Sequence, residues 1–183
     1  MLNFLKYLFQ LIISPRKGWE DISNKGERTE LLAIKGVYPL FLISALSSFF
    51  ILIYNPDIKI VTVVQKVIIS FVQFFVTVFF AKFVFSFVVD KYVDGVPDEK
   101  RYTTYIMYGV SLVSLITIIK NIIPIQNIAL VDFLPFFIAL IMWNGCRYMA
   151  VKEKKTGHFM FLTILVVIMP PMLLNYLFNN ALS

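Results

Sequence analysis

Five apolar segments, each close to twenty residues long, dominate the sequence. They lie at about 36–54, 62–89, 102–119, 128–149 and 159–178. An apolar helix needs about 20 residues to cross the ~30 Å hydrocarbon core of a bilayer. A chain of 183 residues cannot bury five such segments on every side. The sequence therefore predicts an all-α integral membrane protein with five transmembrane helices.

The residue inventory excludes several functional classes. Only 15% of the residues are charged, and the mean hydropathy is +0.80, which is not the composition of an ordinary soluble domain. A single cysteine, Cys146, and a single histidine, His158, argue against a disulfide, a zinc site and a Ser-His-Asp triad. The net charge of +6 is better explained by topology than by nucleic-acid binding. The sequence predicts no enzyme, no cofactor and no nucleic-acid partner.

Lysine and arginine are concentrated in alternate connections between the apolar segments. By the positive-inside rule these connections are cytoplasmic, so the N-terminus is cytoplasmic and the C-terminus lies on the outer face of the cell membrane. That arrangement needs an odd number of crossings, which agrees with five. Thirteen basic residues fall on the cytoplasmic side, against only Lys59 and Lys120 on the other: Lys6, Arg16, Lys17, Lys25, Arg28, Lys35, Lys91, Lys100, Arg101, Arg147, Lys152, Lys154 and Lys155.

Residues 1–30 form a different kind of segment, and residues 31–183 form the transmembrane domain. The opening "MLNFLKYLFQLII" is apolar but carries one polar stripe at helical spacing, and no small-x-small cleavage pattern follows it. The stripe consists of Asn3, Lys6, Gln10 and Ser14. The pattern predicts an amphipathic helix that lies in the membrane interface, rather than a cleaved leader.

The next stretch, "SPRKGWEDI", predicts a second interfacial helix. Ser14 is a favourable N-cap residue, and Pro15 suits the first helical position. Trp19 and Ile22 are three residues apart and would share the apolar side, with Trp19 at the depth of the lipid headgroups. Glu20 would face water.

These features together resemble a known family. A short amphipathic N-terminus, the Ser-Pro-basic-x-x-Trp-Glu-x-Ile pattern at 14–22 and five spans resemble the bacterial branch of the Yip-one (Ypt/Rab-interacting protein) domain family. A weaker likeness is Gly95 followed by "YIMYG" at 105–109. The family's proline after this tyrosine is replaced by Leu112 and Val113, and the eukaryotic Asp-Leu-Tyr-Gly-Pro signature is absent. The resemblance implies a five-span α-helical protein with a cytoplasmic N-terminus, and no catalytic residues.

Two polar stripes interrupt the second and third apolar segments. They consist of Lys66, Ser70, Gln73 and Thr77, and of Thr104, Tyr108, Ser111 and Ser114. At this spacing each stripe occupies one helix face, which we expect to point into the bundle. Hydrogen bonds between helices are the favoured interpretation, and a hydrophilic path for an ion or solute is the alternative. A path normally needs acidic or histidine groups at several depths. Ser70 and Lys66 lack the further groups that a Ser–Lys nucleophile needs.

The sequence thus favours a non-enzymatic membrane protein that acts through lipid or protein contacts, in membrane organisation or trafficking-like processes. The N-terminal region and the connections 90–101 and 151–158 would form the contact surface. The basic residues at 152–155 would meet anionic headgroups, each contributing about 1 kcal/mol near the surface. Lys82 would extend to the same headgroups. The alternative is a small transporter or channel, which would work as a homo-oligomer because five short spans enclose little volume.

Lys66 and Asp132 lie at similar depths in the second and fourth segments and predict an ion pair near the outer interface. An unpaired charge in a membrane costs a few kcal/mol, so Lys66→Gln or Asp132→Asn alone is expected to destabilise the protein more than both changes together. Thermal unfolding of the three variants measures this. A double variant no more stable than either single one would contradict the pair.

Overall fold

The structure is a computed structural model that describes the backbone of residues 1–123 and 129–182, and side chains at 1–123 and 133–178. Within these residues the chain is helical apart from its turns and one isolated β-bridge between Val93 and Val151. The all-α prediction is confirmed.

Two short helices precede a bundle of longer ones. In chain order they are α1 (Leu2–Ile13), α2 (Pro15–Lys25), α3 (Thr29–Tyr54), α4 (Ile60–Lys91), α5 (Glu99–Ile122), α6 (Ala129–Tyr148) and α7 (Glu153–Phe178), after which the backbone stays helical to Leu182. Among the described residues α3, α4, α5 and α7 are long and apolar enough to cross a membrane. The chain is therefore a multi-pass membrane protein by helix length and composition.

Prolines explain two irregular turns in these helices. A π-helical segment at Ala33–Val37 comes just before Pro39, and a second at Ile164–Ile168 comes just before Pro170 and Pro171. Proline has no N–H to donate to the carbonyl four residues earlier, so the regular hydrogen-bond ladder is interrupted there. The wider turn accommodates the break without ending the helix.

Hydrogen bonds between connections define the two ends of the bundle. At one end the Asp94 N–H donates to the Ala150 carbonyl at 2.8 Å, and the Lys152 N–H donates to the Tyr92 carbonyl at 2.9 Å. The Lys100 ammonium donates to the Gly26 carbonyl at 2.7 Å. We call this the basic end: residues 14–28, 90–101 and 149–155. The opposite, distal end is marked by the Tyr54 hydroxyl, which donates to the carbonyl of residue 122 at 2.7 Å.

Helix α5 is the centre of the bundle, in contact with α3, α4, α6 and α7. Every residue from Tyr102 to Ser114 is buried. Side chains that face lipid must be apolar, whereas a helix enclosed by other helices can carry hydroxyl groups that bond to its neighbours. This position explains why α5 tolerates the richest set of Ser, Thr and Tyr residues.

The outer faces of the bundle are apolar. Helix α4 presents an exposed stripe at helical spacing, which consists of Val72, Val76, Phe79, Phe83 and Phe87. Helix α6 exposes Phe133, Phe136, Leu140 and Trp143. Such contiguous exposed apolar surface is typical of the lipid-facing side of a membrane protein.

The N-terminal hairpin, α1 with α2, packs on the bundle and not only on a membrane surface. The apolar side chains on one face of α1, Phe4, Leu8 and Leu11, are buried. Gly36 of α3 lies so close to Phe4 that an added Cβ would be 2.5 Å from its ring. Leu2 and Ile13 are exposed on another face, so the helix also retains apolar surface that can contact lipid.

Close packing around α5 makes Gly109 a sensitive position. A Cβ there would lie 2.7 Å from a Val167 methyl and 2.8 Å from the Met142 methyl. Gly109→Ala is expected to lower the free energy of unfolding by about 1–3 kcal/mol, because overpacking forces neighbouring side chains to move. Gly157→Ala is the matched control, since a Cβ at Gly157 meets nothing within 4 Å. Thermal unfolding that ranks the two variants equally would contradict this packing.

Candidate functional site

Trp19 lies in an aromatic cluster at the basic end. Its indole is only 2% exposed, and its ring centroid is 5.2 Å from that of Tyr148 and 5.4 Å from that of Tyr105. Tyr108 meets it edge-on at 6.0 Å. The indole N–H donates to the Ile141 carbonyl at 3.0 Å. Helices α5 and α6 therefore cover Trp19 with protein, whereas its predicted depth at the lipid headgroups stays a prediction.

Gly145 makes room for this indole. A Cβ at Gly145 would lie 2.6 Å from the Tyr105 ring and 2.8 Å from the Trp19 ring. Ile141 and Gly145 are one turn apart on α6, so one helix face offers both the hydrogen-bond acceptor and the gap. Tyr105 continues the cluster inward, because its hydroxyl donates to the Met142 carbonyl at 3.1 Å and lies 3.4 Å from the Thr163 hydroxyl.

The structure also gives the positions and contacts of the other predicted residues of the "SPRKGWEDI" segment. Ser14 precedes α2 but makes no side-chain capping hydrogen bond, so its predicted N-cap bond is absent. Pro15 occupies the first turn. Ile22 is buried beside Trp19 on the same face of α2. Glu20 is exposed and lies 3.6 Å from Arg16.

A polar cavity of about 200 Å³ lies next to the aromatic cluster. We call it the hairpin cavity, because the N-terminal hairpin forms one wall and the first turns of α5 and the end of α6 form another. Tyr108 and Tyr148 belong both to this cavity and to the cluster around Trp19. The lining residues that carry polar side chains are Tyr7, Ser23, Lys25, Glu27, Asp98, Lys100, Arg101, Thr104, Tyr108 and Tyr148.

The charges around the hairpin cavity are nearly but not fully balanced. Lys25 and Glu27 are 2.9 Å apart, and Arg101 and Asp98 are 3.7 Å apart. Lys100, the third cation, donates instead to a backbone carbonyl, that of Gly26. Gly26 adopts a left-handed conformation with φ of +56°, which closes α2 and turns that carbonyl toward α5. Among the described residues, the Lys100 ammonium therefore has no carboxylate partner.

The two polar stripes are buried apart from Lys66, and the α5 stripe meets more than one neighbour. Ser70, Gln73 and Thr77 of α4 and Thr104, Tyr108, Ser111 and Ser114 of α5 are all buried inside the bundle. Thr104 and Tyr108 line the hairpin cavity, whereas Ser114 meets α3, whose Ser44 hydroxyl donates to the Ser114 carbonyl at 3.0 Å. The α5 stripe thus serves different neighbours along its length.

Two members of these stripes have unused hydrogen-bonding atoms. Gln73 Oε1 and Ser111 Oγ are buried without a hydrogen-bond partner in the described part of the chain. Phe85 of α4 contacts Tyr102 of α5, which aligns the two helices along the bundle axis. At 1.5 Å per residue from this contact, Gln73 and Ser111 lie within about one helical turn of each other along that axis. At this depth the described part of the bundle leaves buried polar atoms of both stripes without a hydrogen-bond partner.

The two lysines within α4, Lys66 and Lys82, differ in what the structure describes of their ion-pair partners. Lys66 is half-buried, but the side chain of Asp132 lies outside the described residues, so their ion pair stays a prediction. Lys82 has a protein partner that sequence reasoning missed, because its ammonium lies 3.4 Å from the Glu99 carboxylate in the first turn of α5.

Comparisons with family models, curated proteins and solved structures find no match. The residues of the site must therefore be interpreted from their own geometry. Among the described residues no group of three or more His, Cys, Asp or Glu side chains is placed to hold a metal ion.

Replacing Trp19 tests whether it holds the hairpin on the bundle. Trp19→Ala is expected to lower the free energy of unfolding by about 3–5 kcal/mol, the usual effect of removing a buried Trp, and to expose the α2–α3 turn to protease. Trp143→Ala is the control, since Trp143 is 51% exposed on the outer face of α6. Thermal unfolding and limited proteolysis measure both. Equal effects of the two changes would show that burial of Trp19 is unimportant.

Proposed function

We propose that the chain is a non-enzymatic protein of the cytoplasmic membrane whose basic end contacts anionic lipid headgroups and an acidic protein surface. The observation that carries this proposal is the union of three separate segments that hold ten of the 17 Lys and Arg residues of the chain. Hydrogen bonds tie residues 90–101 to 149–155, and Lys100 ties the same end to the N-terminal hairpin. The result is one end of the molecule that gathers ten Lys and Arg residues, against eight Asp and Glu residues, on a defined scaffold.

Exposed side chains at this end support an electrostatic role. Arg16, Lys17, Lys91 and Lys154 are exposed, and Lys155 reaches across to the Lys91 carbonyl at 2.7 Å. Each basic residue near an anionic membrane contributes about 1 kcal/mol, and this attraction falls off within a Debye length of about 8 Å. A surface that gathers these residues is suited to a membrane face rich in anionic lipid.

The proposed topology has five crossings, with α6 as the fourth. Helix α5 leaves the basic end and reaches the distal end, whereas the residues that follow α6 return to the basic end, where Ala150 and Lys152 bond to residues 92–94. A helix of 20 residues spans about 30 Å, which suffices for a crossing. The N-terminus is then cytoplasmic and the C-terminus outside. Membership of the bacterial Yip-one branch belongs to the same proposal.

A small transporter or channel is the second candidate. It is favoured by the unsatisfied oxygens of Gln73 and Ser111, since buried polar groups normally have a protein or water partner. Five spans would enclose a path only together with further copies of the chain. Solute or ion flux into proteoliposomes that is lost with Gln73→Leu would favour this candidate.

Site-specific photocrosslinking in cells tests the contact surface. Trp19 is unsuitable because it is buried, so the probes belong at the exposed positions Lys17 and Lys154, with Lys59 at the distal side as the control. We expect one defined adduct from both basic-end probes, weakened by added salt, and none from Lys59. The same adducts from all three probes, or none from any, would contradict the proposal.

A further inference from the structure

We propose that the hairpin cavity binds a phosphate group, either free or as the headgroup of a phospholipid. This goes beyond the proposed function, because it concerns one small ligand inside the protein rather than the basic end as a whole. It rests on the donors that line the cavity, on how weakly their present partners hold them, and on the size of the space.

The cavity wall is rich in hydrogen-bond donors. Lys25 comes from the hairpin, and Lys100 and Arg101 come from α5, so the positive charges belong to two different sides. Phosphate oxygens accept strong charge-assisted hydrogen bonds from such groups, and a guanidinium can donate two at once. The Tyr108 hydroxyl has no hydrogen-bond partner in the described part of the chain, although its ring is packed between Phe4 and Trp19. It is a donor fixed in position and not otherwise used.

The existing partners of the cations are replaceable. Each of the two ion pairs, Lys25–Glu27 and Arg101–Asp98, joins residues that are close in sequence. The side chains of these pairs are between about a quarter and a half exposed. Ion pairs with this much exposure contribute only about 0–1 kcal/mol. Lys100 bonds to a carbonyl and not to a carboxylate. A phosphate group carries between one and two negative charges near neutral pH and can therefore engage the cations with little cost in lost pairs.

The size of the cavity restricts the ligand. A volume of about 200 Å³ lies below the range of roughly 300–1,000 Å³ found for drug-sized ligands, so the cavity is too small to enclose a whole nucleotide. A phosphate with a few attached atoms does. Because the walls come from α1, α2, α5 and α6, a bound phosphate would link the hairpin to the bundle. Binding to the folded state alone stabilises it, so the ligand should strengthen hairpin docking.

Trp19 provides a built-in reporter, since it contacts the same Tyr108 and Tyr148 that line the cavity. The experiment uses the full chain with Trp143→Phe, in neutral detergent, titrated with inorganic phosphate against chloride at equal ionic strength. We expect a saturable change in Trp19 fluorescence and a rise in Tm with phosphate only. Lys100→Met and Arg101→Gln should each weaken the apparent affinity at least about 10-fold, the expected result of losing a charge-assisted bond.

Two controls separate the site from general charge and from misfolding. Lys154→Met removes an exposed cation of the basic end outside the cavity and should leave the affinity unchanged. Tyr108→Phe keeps the aromatic packing and removes only the hydroxyl, so it tests the cavity even if Lys100→Met fails to fold. A response to phosphate that is not saturable, or an equal loss with Lys154→Met, overturns the inference.

The source of the phosphate is distinguished in lipid nanodiscs. If phosphatidic acid in a phosphatidylcholine nanodisc raises Tm and competes with inorganic phosphate, the ligand is a headgroup. If inorganic phosphate binds and phosphatidic acid has no effect, the ligand is a soluble phosphate compound. No saturable response in either arm overturns the inference. The crosslinking at Lys17 and Lys154 tests the contacts of the basic end and does not depend on the cavity. The proposed function and the phosphate site can therefore fail independently of each other.

Discussion

The indole of Trp19 in the gap at Gly145 is the contact on which the basic end depends. It joins the N-terminal hairpin to α6 through the bond to the Ile141 carbonyl, and to α5 through Tyr105 and Tyr108. Without it, Lys25 and Gly26 would not be held opposite Lys100, and the hairpin cavity would lack one wall. The contact also converts an amphipathic segment that could rest on any membrane into a fixed part of this protein.

Polarity inside the bundle follows from the same enclosure. Because α5 is surrounded by other helices, its polar side chains can serve different purposes along its length. Near the basic end Thr104 and Tyr108 line the cavity, and near the middle Ser111 lies buried without a partner. Near the distal end Ser47 accepts a hydrogen bond from Asn121 at 2.8 Å and so joins α3 to α5. Most charged side chains therefore lie at the basic end, whereas the buried polar side chains inside the bundle are neutral.

The sequence predicts the long helices well because each contains an apolar run of about the length needed to cross a bilayer. The segments expected at 62–89 and 102–119 correspond to Ile60–Lys91 and Glu99–Ile122. The first span begins at Thr29 instead of 36, because hydropathy marks the apolar part of a helix and misses its polar first turns. Spacing also predicted that Trp19 and Ile22 share an apolar face, but periodicity does not tell whether lipid or protein covers it. Gly145, the single glycine of α6, was the one available hint.

The hairpin cavity was beyond prediction for a different reason. Tyr7, Lys25, Lys100 and Tyr148 are far apart in the sequence, and no periodic pattern relates them. They come together through tertiary packing, which includes the contact of α2 with α6 and the bond from Lys100 to Gly26. The Lys82–Glu99 pair was missed likewise, since it depends on how α4 and α5 are paired in depth.

Quenching of Trp19 fluorescence tests the docked hairpin most directly. The chain contains two tryptophans, so Trp143→Phe isolates Trp19, and Trp19→Phe isolates Trp143. In bilayers that contain brominated lipid, with acrylamide in the buffer, Trp19 should be poorly quenched by both agents because it is 2% exposed. Trp143, half exposed on the outer face of α6, should be strongly quenched by the lipid. Quenching of Trp19 as strong as that of Trp143 would show that it lies in the membrane interface and would contradict the account.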